Sequence, residues 1–191
     1  YMSNATFINK MSFIQLSREQ AKEEVNLLVE KYKRVVQEGK LKSYNEEMTK
    51  KGFILPLFRA LGWNVEDEDE VSAEEKISRK RVDYGFRLDG IPKFFLEAKS
   101  LKEDLENPKF VQQAINYSWH KGCTWAILTD FEAIKIYNAE LKNINPLQSQ
   151  FGQTLPYHLF LEKFDQLWLL SKDAFEKRLL DTEAEKWGKK F

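Results

Sequence analysis

Residues 81–99 constrain the fold more than any other part of the chain. From Arg81 to Leu88, the apolar residues Val82, Tyr84, Phe86 and Leu88 alternate with Arg81, Asp83, Gly85 and Arg87. That is the two-residue period of a half-buried strand. From Lys93 to Lys99, Phe94, Leu96 and Ala98 alternate in the same way with Lys93, Phe95, Glu97 and Lys99. Asp89-Gly90-Ile91-Pro92 between them supplies turn-forming residues. Two adjacent strands joined by so short a connection form an antiparallel hairpin.

Polarity selects the register of that hairpin. Setting Val82 across from Ala98, Tyr84 from Leu96, Phe86 from Phe94 and Leu88 from Pro92 makes one face wholly apolar and places Asp83 opposite Glu97. Paired Cβ atoms lie about 4.5–5.5 Å apart, close enough for two carboxylates to share a cation. A two-residue Asp-Gly turn would slip the strands by one and set Val82 against Glu97. Burying that charge among apolar residues is unfavourable, so the sequence favours the longer turn.

Around the hairpin the pattern is mixed. Ser17-Arg18-Glu19-Gln20 reads as a capping box, and Ala21, Val25, Leu28, Tyr32, Val35 and Val36 follow at helical spacing up to Gly39. A second helix begins near Ser43 or Asn45, carries Met48, Phe53, Leu57, Phe58 and Leu61, and stops at Gly62. Pro56 should kink or interrupt it, because proline lacks the backbone donor. Trp63-Asn64-Val65 reads as the start of an extended segment that resumes near Val71 after an acidic run, residues 66–70. A helix follows Asn107-Pro108, with Phe110, Val111, Ala114, Ile115, Ser118 and Trp119 on its apolar face, then strands at 123–128 and 133–137. A polar loop spans 143–153, Tyr157 to Leu161 reads as a short extended piece, and helices run from Glu162 onward. This order suits an α/β (α+β) domain, a mixed β-sheet flanked by helices.

Composition narrows the class further. In 191 residues, 30 basic side chains balance 30 acidic ones and aromatic residues make up 14%, so the chain can bury a core and is not disordered. No apolar stretch approaches the roughly 18–20 residues of a membrane helix. The lone Cys123 cannot form an internal disulfide, which makes a reducing cytoplasm the expected setting. Zero net charge argues against the simplest nucleic-acid binder, but charge is locally segregated. The acidic run, expected as a solvated loop, is followed by Lys76, Arg79, Lys80 and Arg81, a candidate phosphate-facing group.

Several familiar sites are absent. The sequence holds no phosphate-cradling glycine loop, no H-E-x-x-H and no G-x-S-x-G. One cysteine and the separated His120 and His158 cannot form a zinc cluster. Carboxylates and lysines remain. The triplet Glu97-Ala98-Lys99 shares its acid-to-lysine spacing with Glu38-Gly39-Lys40, Glu74-Glu75-Lys76 and Glu140-Leu141-Lys142, so spacing alone carries nothing. Placement distinguishes it: Glu97 and Lys99 close an apolar strand, project to one face and stand beside Asp83. Two carboxylates and a lysine suit metal-assisted attack of water on a phosphodiester. The bland alternative is an ion pair on a sheet face.

The series Asn45-Glu46 on a helix ending Leu61-Gly62-Trp63, then Val82-Asp83-Tyr84, then Phe95-Leu96-Glu97-Ala98-Lys99 resembles the PD-(D/E)XK nuclease superfamily. Gln113-x-x-x-Tyr117 followed by Leu128-Thr129-Asp130-Phe131-Glu132 is similar to the amino-terminal nuclease domains of Type IIG restriction-modification enzymes and Type I restriction subunits. The resemblance runs from about Asn45 to Tyr137 and departs where Val82 replaces a proline. It implies a restriction-endonuclease-like core over residues 17–161, with 1–16 a leader or cloning remnant and 162–191 a helical connector toward a missing methyltransferase. It further implies Asp83 and Glu97 as metal ligands, Glu46 (or Glu47) assisting the metal, Lys99 as the catalytic lysine, and Gln113 and Tyr117 near the site and the DNA. Mg²⁺, or Mn²⁺ in its place, is the implied cofactor. Double-stranded DNA is the implied substrate, with methyltransferase and target-recognition domains elsewhere in the full-length protein; cutting both strands requires two active sites or two visits, and a dimer on DNA is one such arrangement. The competing expectations are a nuclease-fold module that binds nucleic acid without cutting, and a domain that docks a partner protein.

Overall fold

The computed structural model describes residues 13–77, 80–101, 103–141 and 145–188. A six-stranded sheet in the order β1-β2-β3-β4-β5-β6 is built from β1 (Val71–Ile77), β2 (Lys80–Leu88), β3 (Ile91–Ala98), β4 (Trp125–Thr129), β5 (Ala133–Asn138) and the short β6 (Leu155–Pro156). Every neighbouring pair is antiparallel except β3 and β4, which run parallel. A parallel pair needs a crossover connection, and the helix Pro108–His120 supplies it.

Helices cover both faces. On one lie α1 (Arg18–Gln37), the rod formed by α2 (Glu46–Thr49) and α3 (Leu55–Ala60), and residues of α5 (Phe164–Trp168), α6 (Lys172–Glu176) and α7 (Leu179–Gly188). Their apolar side chains share one core with Phe86, Phe94, Leu96, Trp125 and Ile127. On the other face α4 (Pro108–His120) packs Val111, Ala114 and Ile115 against Ala126, Leu128 and Tyr137. β4 is therefore buried at every position, as expected of a strand covered on both sides. The mixed sheet with flanking helices is the architecture that the sequence implies.

Ser17 caps α1 in the expected reciprocal arrangement with Gln20. Asn45, not Ser43, caps the second helix by accepting from the Met48 N–H. Between α2 and α3 the rod loosens into a π-helical turn at Lys50–Ile54, and the cause lies at Pro56. Proline cannot donate to the carbonyl four residues back, and that carbonyl, Gly52 O, accepts instead from Lys31 Nζ of α1 at 2.8 Å. The helix continues past Pro56 rather than breaking.

The hairpin combines two features expected to exclude one another. Leu88 pairs with Ile91 and Arg87 with Pro92, so the connection is the two-residue Asp89-Gly90 turn that polarity had argued against. Asp89 (φ 51°) and Gly90 (φ 77°) both adopt the left-handed conformation that such a turn requires. The register then shifts between Phe86 and Arg87, leaving Lys93 as the extra residue, and Phe86↔Phe94 and Tyr84↔Leu96 pair as polarity demands. A bulge lets the favoured turn and the apolar face coexist. Phe86 and Phe94 stack with centroids 4.3 Å apart, flanked by Phe58 and Trp63.

Other expectations fail for tertiary reasons. Trp63-Asn64-Val65 forms no strand; Trp63 is buried and its indole donates to Leu170 O at 3.0 Å. Tyr157–Leu159 is a 3-10 turn rather than an extended piece. Trp119 and Met48 are exposed, not on apolar faces. Of the acidic run, Glu66, Glu68 and Asp69 are exposed as expected, but Glu70 is held by Lys172 at 2.6 Å. Arg79 lies outside the described residues, as do the side chains of Lys76 and Lys80. The segment after Glu162 contributes Phe164, Leu167, Leu170, Phe175 and Leu180 to the main core. Among the described residues no helix is long and apolar enough to cross a membrane.

Candidate active site

The β2–β3 ladder stops at Tyr84↔Leu96, and the next β3 donor, the Ala98 N–H, is taken at 2.7 Å by Asp83 Oδ2 instead of by β2 main chain. The carboxylate thus bridges two strands where they part. Val82 accordingly leaves the face of Tyr84 and Phe86: it packs with Phe95, Tyr117 and Cys123 on the α4 side, which corrects the strict alternation expected for this strand. The bond to Ala98 N–H brings Asp83 up to the main chain next to Glu97, near enough for its charge to act on that carboxyl. Both carboxylates are buried.

Each has a lysine partner. Asp83 Oδ1 accepts from Lys50 Nζ at 2.8 Å, and Glu97 Oε1 accepts from Lys99 Nζ at 3.1 Å. Lys99 is further fixed by its main-chain N–H on Thr129 O and by its ammonium 4.1 Å from the Phe110 ring centroid. Glu97 Oε2 is buried with no hydrogen-bond partner. Burial and, next, the charge of Asp83 push the Glu97 carboxyl up to about 7, against the opposing pull of Lys99. An acid raised this way beside an orphaned oxygen is a group that gains from a cation.

Lys50 is the residue that sequence reasoning missed. It stands in the π-turn, its side chain only 8% exposed, and contacts Glu46 at 3.1 Å and Glu47 at 3.3 Å as well as Asp83. Burial would lower its pKa, but hydrogen bonding to Asp83 and Glu46 and their charges outweigh that and raise it. A signal was present: Lys50 precedes Phe53, Ile54 and Leu57 by three, four and seven residues, which puts it on the buried stripe of its helix.

The implied ligand set is only partly assembled. Glu46, half-exposed, meets Asp83 through Lys50 rather than directly. Among the described residues no three carboxylate, histidine or cysteine side chains are grouped around one position. The Lys50 ammonium stands between Glu46 and Asp83. Gln113 and Tyr117 lie one turn apart on α4 along the same strands. Gln113 Nε2 donates to Arg81 O at 3.1 Å and is exposed, whereas Tyr117 is buried edge-on against Phe95. Tyr117 thus packs the wall behind the site. His120 and His158 make ordinary local contacts with Asn116 O and the Tyr157 ring.

The residues present fit a hard divalent cation. Mg²⁺ is commonly held by one or two carboxylates together with substrate phosphate, and Asp83 with the unpartnered Glu97 Oε2 meets that requirement.

Fold and site together define a mixed α/β domain with a buried carboxylate–lysine centre at the parting of two central strands. Over 162 residues, 76% of this chain, the sequence is 27% identical to the Type II restriction enzyme and methyltransferase RM.Eco57I of Escherichia coli, of which the chain spans only 16%. No family model and no solved structure matches the chain. The similarity relates the chain to part of a restriction enzyme.

Proposed function

We propose that this chain is the DNA-cleaving part of a restriction-modification enzyme, a Mg²⁺-dependent endonuclease of the PD-(D/E)XK type acting on double-stranded DNA. The observation that carries the reading is the pair Asp83 and Glu97, buried side by side with Lys99 on the second carboxylate, in a chain similar to a restriction enzyme. A divalent cation at the two carboxylates would neutralise the scissile phosphodiester and make its water more acidic. Asp83 and Glu97 supply the oxygens that hold it. Lys99, pinned by Glu97 and Phe110, presents an ammonium to the attacking water or to a phosphate oxygen. Gln113, exposed on α4 with its amide on Arg81 O, would be available to the DNA. Site choice and methylation belong to other parts of a longer protein, in keeping with the relative's combined name. Cutting both strands calls for two copies on the duplex or two visits by one, and the cytoplasm is the fitting compartment.

The test is conversion of supercoiled plasmid by the purified chain. Nicked and linear forms should appear with Mg²⁺ or Mn²⁺ and not with EDTA, and Glu97→Ala and Lys99→Ala should abolish them while remaining folded. The second reading, a nuclease-fold module that binds without cutting, draws on the ion pair already occupying Asp83. Intact plasmid in every metal, with duplex binding retained, would favour it.

A further inference from the structure

We propose that Lys50 is a built-in cation that occupies the Asp83 half of the metal site and hands that carboxylate over when a divalent ion arrives, withdrawing onto Glu46 and Glu47. The inference rests on the metal-dependent reading above and adds a residue which that reading does not require.

Three observations carry it. The two oxygens of Asp83 are committed differently: Oδ2 is tied to the Ala98 N–H at 2.7 Å, while Oδ1 is covered by the Lys50 ammonium at 2.8 Å. Oδ1 is thus the oxygen available to a second cation, and Lys50 is what stands on it. Next, Glu97 keeps Oε1 on Lys99 while its Oε2 is buried with no hydrogen-bond partner, so the site holds an open carboxylate oxygen on one side and a tethered positive charge on the other. Finally, Lys50 has an alternative resting place. Glu46 and Glu47 lie one turn earlier on its own helix, already 3.1 and 3.3 Å from Nζ, so the ammonium keeps two charged partners as it leaves Asp83.

The surrounding structure suits such a movement. The π-turn that carries Lys50 is held open by Pro56 and by the Lys31 contact to Gly52 O, and turns of this kind recur at functional positions. Lys50 also explains why Glu46 is not grouped with the strand carboxylates: the ammonium fills the space between them. It keeps the buried Asp83 paired before the metal binds, because an unpaired buried charge is strongly destabilising.

Two measurements test the exchange. Calorimetry with Mn²⁺ alone should show that Lys50→Met binds the ion about tenfold or more tightly than the native chain, the scale on which an adjacent charge alters a carboxylate's affinity for a cation. Lys50→Arg, which restores the charge, should return the native affinity. Independently of any substitution, mild acetylation of the native protein read by mass spectrometry should find Lys50 protected without metal and several-fold more reactive in saturating Mn²⁺, with Lys31 as the internal control. Equal or weaker binding by Lys50→Met, or unchanged Lys50 acetylation at saturation, overturns the proposal. If native Mn²⁺ binding is present and is lost in Glu97→Gln, that failure touches Lys50 alone. If native and Lys50→Met proteins both take up no Mn²⁺, with or without a non-cleavable duplex, this proposal and the metal-dependent function fall together.

Discussion

Asp83 and Glu97 occupy one site but bear different structural loads, and substitution separates them. Asp83 satisfies the Ala98 N–H and the buried Lys50 ammonium. Asp83→Ala removes both bonds, leaves Lys50 to Glu46 and Glu47, and should cost about 1–3 kcal/mol in urea denaturation. Glu97 is held against burial and against Asp83 with one oxygen unpartnered. Glu97→Gln, which removes the charge but keeps an oxygen for Lys99, should therefore leave stability level or raise it at pH 8, where the carboxylate would otherwise be charged. Asp130 makes a related case. Burial comes first among the causes that push it up to about 7, with the charge of Glu132 adding to it, although the Ala133 N–H bonds its Oδ1. The folded state keeps this proton through a range in which the unfolded chain has lost it. The contribution of Asp130 to stability is thus greatest below the ordinary aspartate value of about 4, falls as pH rises from there to about 7, and levels off above. Asp130→Asn keeps an oxygen for Ala133 and cannot titrate. Its melting temperature relative to the native protein should be unchanged near pH 4, climb up to pH 7 and level off above. A constant difference across that range would contradict the assignment.

At the scale of elements, two irregularities place the chemistry. The bulge at Lys93 reconciles the Asp89-Gly90 turn with the apolar pairing of Tyr84, Phe86, Phe94 and Leu96, and so delivers Asp83 to Glu97. The π-turn delivers Lys50 to Asp83. Its freed carbonyl depends on Lys31, so Lys31→Met, which keeps the aliphatic stem, should destabilise the protein by about 1 kcal/mol and reduce amide-exchange protection over residues 50–54 ahead of the sheet. Uniform loss of protection across the chain would argue that the contact has no local role. The hairpin and its paired carboxylates were legible in the sequence because alternation is a local signal and charge forbids the opposite face. The bulge was not, since polarity and turn preference each specify a register and nothing local reveals that one extra residue satisfies both. Lys50 escaped for another reason: its helical position marked it as buried, but its partner Asp83 lies on a strand more than thirty residues away.

The whole molecule shows the same division. Capping at Ser17, the helix after Asn107-Pro108 and the succession of strands and helices along the chain follow from short-range pattern, and so the mixed sheet with flanking helices could be read. Trp63 could not, because the fate of its indole depends on Leu170 at the far end of the chain; nor could the place of Phe164, Leu167 and Phe175 in the main core. The site joins residues of α2, β2, β3 and α4, and in the proposed function its two buried carboxylates and a DNA phosphate would together hold one cation. The chain has no net charge to draw it to DNA, so in the proposed function the ion would link protein and phosphate, and linkage would make the coupling reciprocal. Titration of a non-cleavable duplex into the chain with and without Ca²⁺ measures it directly. Ca²⁺ should tighten DNA binding about tenfold or more, DNA should tighten Ca²⁺ binding by the same factor, and Glu97→Ala should erase both effects. DNA affinity indifferent to Ca²⁺ and unchanged in Glu97→Ala would contradict the account.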